Sequence, residues 1–332
     1  MKIIVPMAGK GSRLRPHTLT TPKPLIPVAG TSIVQRLVEG ISAMNQETLE
    51  EVAYIIGPDF GKEVEMELVG IAEKLGAKGS IYYQEQALGT AHAILCAAPS
   101  LEGNLIVAFA DTLFTADFKI DTNHDGLIYV KQVDDPRAFG VVKISDGGFI
   151  SDFVEKPVAF VSDLAIIGIY YFKDGANLRQ ELQYLIDNNV KDKGEYQLTS
   201  ALENMKNKGL KFYPGTVVEW LDCGNKDATV YSNQRVLENG TWTIPASVKL
   251  ENSVIIQPCY IGENVSITNS VVGPHVSVGN DTVLHQVVLS NSIVQKKSKV
   301  ENRVIHNSMI GSNVHLQGRA EDLSIGDYTS VK

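Results

Sequence analysis

The sequence predicts an α/β fold, a doubly wound and mostly parallel sheet, followed by a short left-handed parallel β-helix. Three observations predict it. Short apolar runs alternate with amphipathic stretches up to about residue 172. A glycine-rich turn, Gly9-Lys10-Gly11, stands directly after the first apolar run. Beyond about residue 245 helix patterns stop, and aliphatic residues recur every six positions.

In chain order, Lys2–Pro6 reads as a strand that stops at the glycine-rich turn. Ser32 stands where an N-cap is needed, and Ile33, Leu37, Ile41 and Met44 then share one helical face. Glu51–Ile56 reads as a buried strand, and Phe60, Val64, Leu68, Ile71 and Leu75 as a helical stripe. Ser80–Gln84 is expected to be a strand, Thr90–Ala98 an alanine-rich helix, and Leu105–Phe109 a strand ending just before Asp111. Such alternation winds a parallel sheet, whose ligands sit beyond the carboxyl ends of its strands. The glycine-rich turn and Asp111 both fall at such ends. Leu127–Val133, Val141–Ile144, Phe149–Val154 and Ile166–Phe172 follow as closely spaced strands, an insertion or extension of the sheet. Helices are expected near Ala176–Ile186 and Gln197–Lys206.

In the tail the six-residue steps are Ile255, Ile261, Ile267, then Val272, Val278, Leu284, then Val294, Val300, then Ile310, Leu316. Each face of a coil contributes one inward aliphatic, and stacking buries them in a continuous column. At about 18 residues per coil, about four coils fit. The register slips between hexads, so irregular corners are expected. Ser324–Lys332 is the expected cap or interface at the open end.

With 332 residues, about two domains are expected, and the pattern divides them as 1–240 and 245–332. Net charge is −8, while residues 245–332 balance 7 basic against 7 acidic side chains. The first domain therefore carries the acidity, which argues against a nucleic-acid partner. An anionic substrate must be held by a few local cations. Three scattered cysteines, Cys96, Cys223 and Cys259, argue against a disulfide or zinc framework. The longest apolar run, Leu164–Phe172, is too short for a membrane span, and the first apolar stretch is too short for a signal peptide. These points place the protein in the cytoplasm.

The densest chemistry lies in Gly9-Lys10-Gly11-Ser12-Arg13-Leu14-Arg15-Pro16-His17-Thr18, followed by Pro22-Lys23-Pro24. Glycines let backbone N–H groups approach phosphate without a Cβ in the way. Arg13 and Lys23 add two cations. A dinucleotide fingerprint would need a third glycine where Leu14 stands, and the Walker spacing is absent.

This segment resembles the signature of the sugar-1-phosphate nucleotidyltransferases, the NDP-sugar pyrophosphorylases. Further segments match in family order: Gln84 to Ala93, Phe109-Ala110-Asp111, Phe139-Gly140-Val141-Val142, Glu155-Lys156-Pro157 and Trp220-Leu221-Asp222-Cys223-Gly224. The resemblance implies a Rossmann-like catalytic domain. It implies transfer of a nucleotidyl group from an NTP to a sugar-1-phosphate, with Mg²⁺ held by Asp111 and Asp222. Arg13, Lys23 and Asp111 would be catalytic. Met7, Ala8, Gly9, Gly11, Ser12, Gln84, Gly89 and Thr90 would bind the nucleotide. Gly140, Glu155 and Lys156 would bind the sugar phosphate. The side-chain amide of Gln84 can both donate to and accept from the edge of uracil or thymine. The W-L-D-x-G context of Asp222 resembles that of the thymidylyl- and uridylyltransferases acting on glucose-1-phosphate, and this resemblance implies dTTP or UTP as donor and glucose-1-phosphate as acceptor.

The sequence departs from the family in two places. Ala110 stands where glycine is usual, and Ala165-Ile166-Ile167-Gly168 lacks the polar residue found near the sugar in many members. Three alternatives stay open at this stage. They are a mannose-1-phosphate guanylyltransferase, a non-catalytic regulatory subunit, and an acyltransferase using His275, His285, His306 or His315 of the tail. The tail is expected to make homo-oligomers, without membrane or nucleic-acid partners.

Overall fold

The computed structural model describes residues 1–116, 119–319 and 324–330. Its contacts divide the chain into two units, Met1–Ile26 with Thr31–Asn225, and Pro27–Gly30 with Lys226–Lys332.

The first unit is built on a nine-stranded mixed sheet. Four parallel strands form one side of it, running to the edge in the order Leu105–Ala108, Lys2–Pro6, Glu51–Ile56, Lys78–Tyr83. The chain winds outward in one direction through the first three strands it makes. It then returns to the other side of Lys2–Pro6, so the winding reverses between Lys2–Pro6 and Leu105–Ala108. At such a reversal the loops leaving two neighbouring strands diverge and open a crevice. Leu164–Phe172 runs antiparallel beside Leu105–Ala108. Gly126–Gln132, Gly140–Ile144, Ile150–Glu155 and Phe212–Thr216 carry the sheet further, so the later strands extend it.

The helices follow the apolar spacing. Helix α1, Ile33–Met44, is capped by Ser32, whose Oγ accepts the Gln35 N–H at 3.4 Å. It buries Ile33, Leu37, Ile41 and Met44, each stabilising by about 1.5–3 kcal/mol against exposure. Helix α2, Lys62–Lys74, buries Leu68 and Ile71. Helix α3 covers only Thr90–Leu95, and a separate turn spans Ala98–Ser100. The expected helix to Ala98 stops early because Pro99 has no N–H for the Leu95 carbonyl and its ring would clash with that carbonyl, and the backbone leaves helical angles at Ala97, with φ −94° and ψ +29°. Helices α4, Gly175–Asp187, and α5, Leu198–Asn207, lie where the sequence places them.

In the second unit, helix α6, Lys226–Glu238, precedes a parallel β-helix. Three inward columns are paired in register. They are Ile255 with Val272 and Leu289, Ile261 with Val278, Val294 and Ile310, and Ile267 with Leu284, Val300 and Leu316. Val254 pairs with Val271, a step of 17 residues, and Val288 with Val304, a step of 16. The coil is therefore shorter than the expected 18. One or two sides of each coil are five residues long, which is the register slip seen in the sequence. Corners turn through positive-φ residues, mostly asparagine, as at Asn252, Asn269 and Asn302. Asn tolerates this left-handed region better than most residues. The short Pro27–Gly30 segment joins this unit where Ala29 N–H donates to Asn233 Oδ1 at 2.9 Å. Part of the expected cap, Ser324–Lys332, lies outside the described residues.

Candidate active site

The loop after Lys2–Pro6 folds through three short 3-10 turns, Ser12–Leu14, His17–Leu19 and Lys23–Leu25. Gly11 lets it double back. Its φ is +58°, and a Cβ there would stand 2.9 Å from Lys23 Cβ. Thr18 Oγ1 donates to the Gly11 carbonyl at 2.8 Å and fixes the bend. Lys23 is thereby buried at 8% exposure and pairs with Asp111 across 3.1 Å.

Asp111 follows Leu105–Ala108, on the other side of the winding reversal. Asp222 reaches it through a two-stranded antiparallel ribbon of Thr112–Thr115 and Glu219–Asp222, in which Asp222 lies opposite Thr112. The Cys223 N–H donates to the Asp111 carbonyl at 3.0 Å. Burial raises the Asp222 carboxyl above its ordinary range and the charge of Asp111 raises it further, while Lys23 and Arg13 pull it down. Two carboxylates that repel each other inside a pocket are hard oxygen donors whose repulsion a divalent cation would relieve. Among the described residues no cluster of three or more His, Cys, Asp or Glu side chains forms a metal cage. The pair therefore suits an ion that also takes phosphate oxygens.

Two adjoining cavities meet here. The first, of about 370 Å³, is lined by Met7, Ala8, Gly9, Gly11, Ser12, Arg13, Lys23, Gln84, Gly89, Thr90 and Asp111. The second, of about 300 Å³, is lined by Gly140, Glu155, Lys156 and Asp222, and again by Arg13, Thr90 and Asp111. All the residues assigned from the sequence to the nucleotide, the sugar phosphate and the metal thus lie on one of the two walls, and Arg13, Thr90 and Asp111 lie on both.

Local structure explains each wall. Gly89 has φ +115°, and a Cβ there would stand 2.4 Å from the Tyr196 carbonyl. Thr90 Oγ1 donates to Gln197 Oε1 at 3.2 Å and accepts the Leu198 N–H at 2.9 Å. On the other wall Gly140 pairs with Glu155 across an antiparallel ladder. Glu155 Oε2 accepts from Thr199 Oγ1 at 3.3 Å, and Lys156 lies 3.5 Å from Glu155 Oε1. Lys193 Nζ donates to the carbonyls of Glu155 and Lys156 at 2.9 and 2.7 Å.

Residues 2–239 match the family described as Nucleotidyl transferase. The chain belongs to the nucleotidyl transferase family. A glucose-1-phosphate thymidylyltransferase of Streptomyces antibioticus is 31% identical to this nucleotidyl transferase over 280 residues, 81% of this chain and 75% of that one. A bifunctional protein GlmU of Methanococcus maripaludis is 28% identical, over 78% of this chain and 62% of its own. The crystal structure of a UDP-glucose pyrophosphorylase complexed with UDP-glucose shares the fold, with a TM-score of 0.57 at 22% identity, covering 72% of this chain and 99% of that one.

The structure also brings to this nucleotidyl transferase's cavities residues to which the sequence assigned no role, Phe109 and Trp220 of the matched segments among them. Glu195 lines the first cavity, and Gln197, Thr199, Tyr170 and Trp220 line the second. Phe109 lines both. Glu195, Gln197 and Thr199 come from one loop and the start of α5, and no local motif marks them. In the tail, His275 pairs with Glu238, His315 with Glu301, and His306 Nδ1 lies 3.0 Å from Ser290 Oγ.

Proposed function

We propose that this chain transfers a nucleotidyl group from dTTP or UTP to a sugar-1-phosphate, glucose-1-phosphate first, and releases pyrophosphate. The observation that carries the reading is the junction of two cavities at Arg13, Thr90 and Asp111. A base and ribose fit the Gln84 side, a sugar fits the Glu155 side, and the phosphates fall between. The names of the curated relatives support the same substrates.

The acceptor phosphate oxygen forms a bond to the α-phosphorus as the bond from that phosphorus to the bridging oxygen breaks. The nucleophile is already anionic, so no base is required. Positioning and charge neutralisation are what the protein supplies. Arg13 offers a planar fork of donors to the leaving pyrophosphate. Lys23, held by Asp111, faces the α-phosphate. Glu155 accepts from sugar hydroxyls, and Lys156 meets the sugar phosphate. Asp111 and Asp222 would hold Mg²⁺, which supplies charge neutralisation at the reacting phosphate oxygens.

The β-helix is assigned to assembly with a second copy of the chain. Supporting this, Val254, Val271, Val288 and Val304 form an exposed column in register on one outer face. A cytoplasmic location is part of the proposal. All three cysteines are thiols, and among the described residues no helix is long and apolar enough to cross a membrane.

The test is pyrophosphate release from a matrix of NTPs and sugar-1-phosphates, with Mg²⁺ and with EDTA. Release from UTP or dTTP with glucose-1-phosphate is expected. Silence from folded protein across the matrix overturns the reading.

A further inference from the structure

Gln84 follows the strand Lys78–Tyr83 and lines the first cavity. Its side-chain amide has one donor end and one acceptor end, and the neighbours decide which faces inward. Nε2 lies 3.3 Å from the Gly89 carbonyl and 3.1 Å from His92 Nδ1. A carbonyl can only accept, so the NH₂ end must be the one that faces it. The same NH₂ then has its second hydrogen for His92, whose Nδ1 accepts.

Both acceptors are fixed. The Gly89 carbonyl also takes the Ala93 N–H at 3.0 Å. Leu88 and Ala91, on either side, are tied to Tyr196, whose N–H donates to the Leu88 carbonyl and whose carbonyl accepts the Ala91 N–H, each at 2.9 Å. His92 sits on helix α3 between Thr90 and Ala93, which line the cavity, and does not line it itself. Burial holds its imidazole below the ordinary histidine value, which favours the neutral ring that Nδ1 acceptance requires.

We propose that His92 is a positioning residue for base selection: it holds the Gln84 amide with Oε1 toward the cavity, so the site takes nucleoside triphosphates whose base presents a ring N–H. This deepens the nucleotidyltransferase reading and rests on it. Uracil and thymine carry an N–H between two carbonyls. Cytosine carries a lone pair at the same ring position, and two facing acceptors repel. Without His92 the amide keeps only one of its two anchors. It can then rotate to offer NH₂ to cytosine, and discrimination falls.

The experiment measures kcat/KM for UTP, dTTP and CTP with a saturating sugar-1-phosphate. The variants are His92→Ala, His92→Leu and His92→Asn. His92→Ala and His92→Leu are expected to lower the UTP-to-CTP ratio by about tenfold, the scale of one neutral hydrogen bond. The KM for sugar-1-phosphate should not move. His92→Asn places an acceptor oxygen on Cγ, where histidine carries Nδ1, and should keep the ratio within about twofold of wild type, well inside that scale. An unchanged ratio in both His92→Ala and His92→Leu overturns the inference. So does an equal fall for every NTP, or His92→Asn behaving like His92→Ala. A wild-type enzyme that releases no pyrophosphate from any pair removes the nucleotidyltransferase reading and this inference with it. An active wild type with an unmoved ratio removes only the role of His92.

Discussion

The backbone N–H of Cys223 donates to the carbonyl of Asp111 at 3.0 Å, and that bond brings two distant acidic residues to one pocket. If both hold the same ion, each is needed. Asp111→Asn and Asp222→Asn are each expected to lower pyrophosphate release by at least about a hundredfold, the scale seen when one transition-state charge contact is lost. EDTA should abolish wild-type turnover, and Mg²⁺ should restore it. Mg²⁺ should also raise the wild-type melting temperature and leave that of Asp222→Asn unmoved. A Mg²⁺ titration of rate and melting temperature checks both.

Lys23 is buried while its partner Asp111 is partly open to solvent. Removing the ammonium therefore leaves a carboxylate that water can still reach, and the stability cost is moderate. Lys23→Met should keep the fold, with a melting temperature within about 4 °C of wild type. Its kcat should drop by about 10²–10³. Lys23→Arg should not rescue, because a planar fork does not fit the space of a compact ammonium.

Gly11 and Gly9 separate conformational need from mere proximity to phosphate. At Gly11 a methyl meets Lys23 Cβ at 2.9 Å and Thr18 Cγ2 at 3.2 Å, with φ at +58°. Gly11→Ala is expected to cost about 1–2 kcal/mol from the backbone alone. It should also displace Lys23 and cut kcat. At Gly9 nothing lies within 4 Å of the added carbon, so Gly9→Ala should leave the melting temperature unchanged and affect only nucleotide KM. Thermal denaturation beside kinetics distinguishes the two.

These residues also show what was legible beforehand. Short-range signals announced the glycine turn, the strand ends and the hexads, because each is a local period or a local break. The Asp222 ribbon was not legible. Its strands, Thr112–Thr115 and Glu219–Asp222, are four residues long and far apart in sequence, so no periodicity marks them. Helix α6 escaped for a different reason. It buries Thr229, Ser232 and Asn233 beside Val230 and Leu237, and a face with that much polar character shows no apolar stripe. Asn233 earns its burial by accepting from Ala29 N–H and Ser277 Oγ. The four residues Pro27–Gly30 look like ordinary loop in the sequence, yet they pack with the β-helix unit.

His92 gives a pH prediction with a definite sign. Burial lowers its folded pKa from the ordinary 6.5. The unfolded chain therefore binds the proton more readily than the folded one. Stability tied to the neutral ring is complete above pH 6.5 and is lost as pH falls through the lowered folded value. His92→Asn lacks this titration. Between pH 7.5 and 5.5 the wild type should lose about 1 °C of melting temperature relative to His92→Asn, a small shift because the ring is only partly buried. Equal slopes for the two proteins would show that the imidazole does not titrate differently on folding.

The outer valine column tests the assembly proposal. Val254, Val271, Val288 and Val304 pair in register on successive coils, so their side chains stack along one face. Val304 is 81% and Val288 48% exposed. The stacked side chains form one contiguous apolar patch, which marks an interaction site where scattered exposed residues would not. Three of the four valines are already about half covered or more, so covering each contributes less than the about 1.5–3 kcal/mol of a fully exposed side chain, and the same patch on two copies can meet itself as a two-fold dimer requires. Val288→Lys places an ammonium in the middle of the column, where closure would strip its water. The wild type should sediment as an oligomer and Val288→Lys as a monomer. Their melting temperatures measured at high dilution should be similar, because Val288 points away from the buried columns. A wild type that is monomeric at micromolar concentration removes this face from the assembly proposal and leaves the catalytic reading untouched.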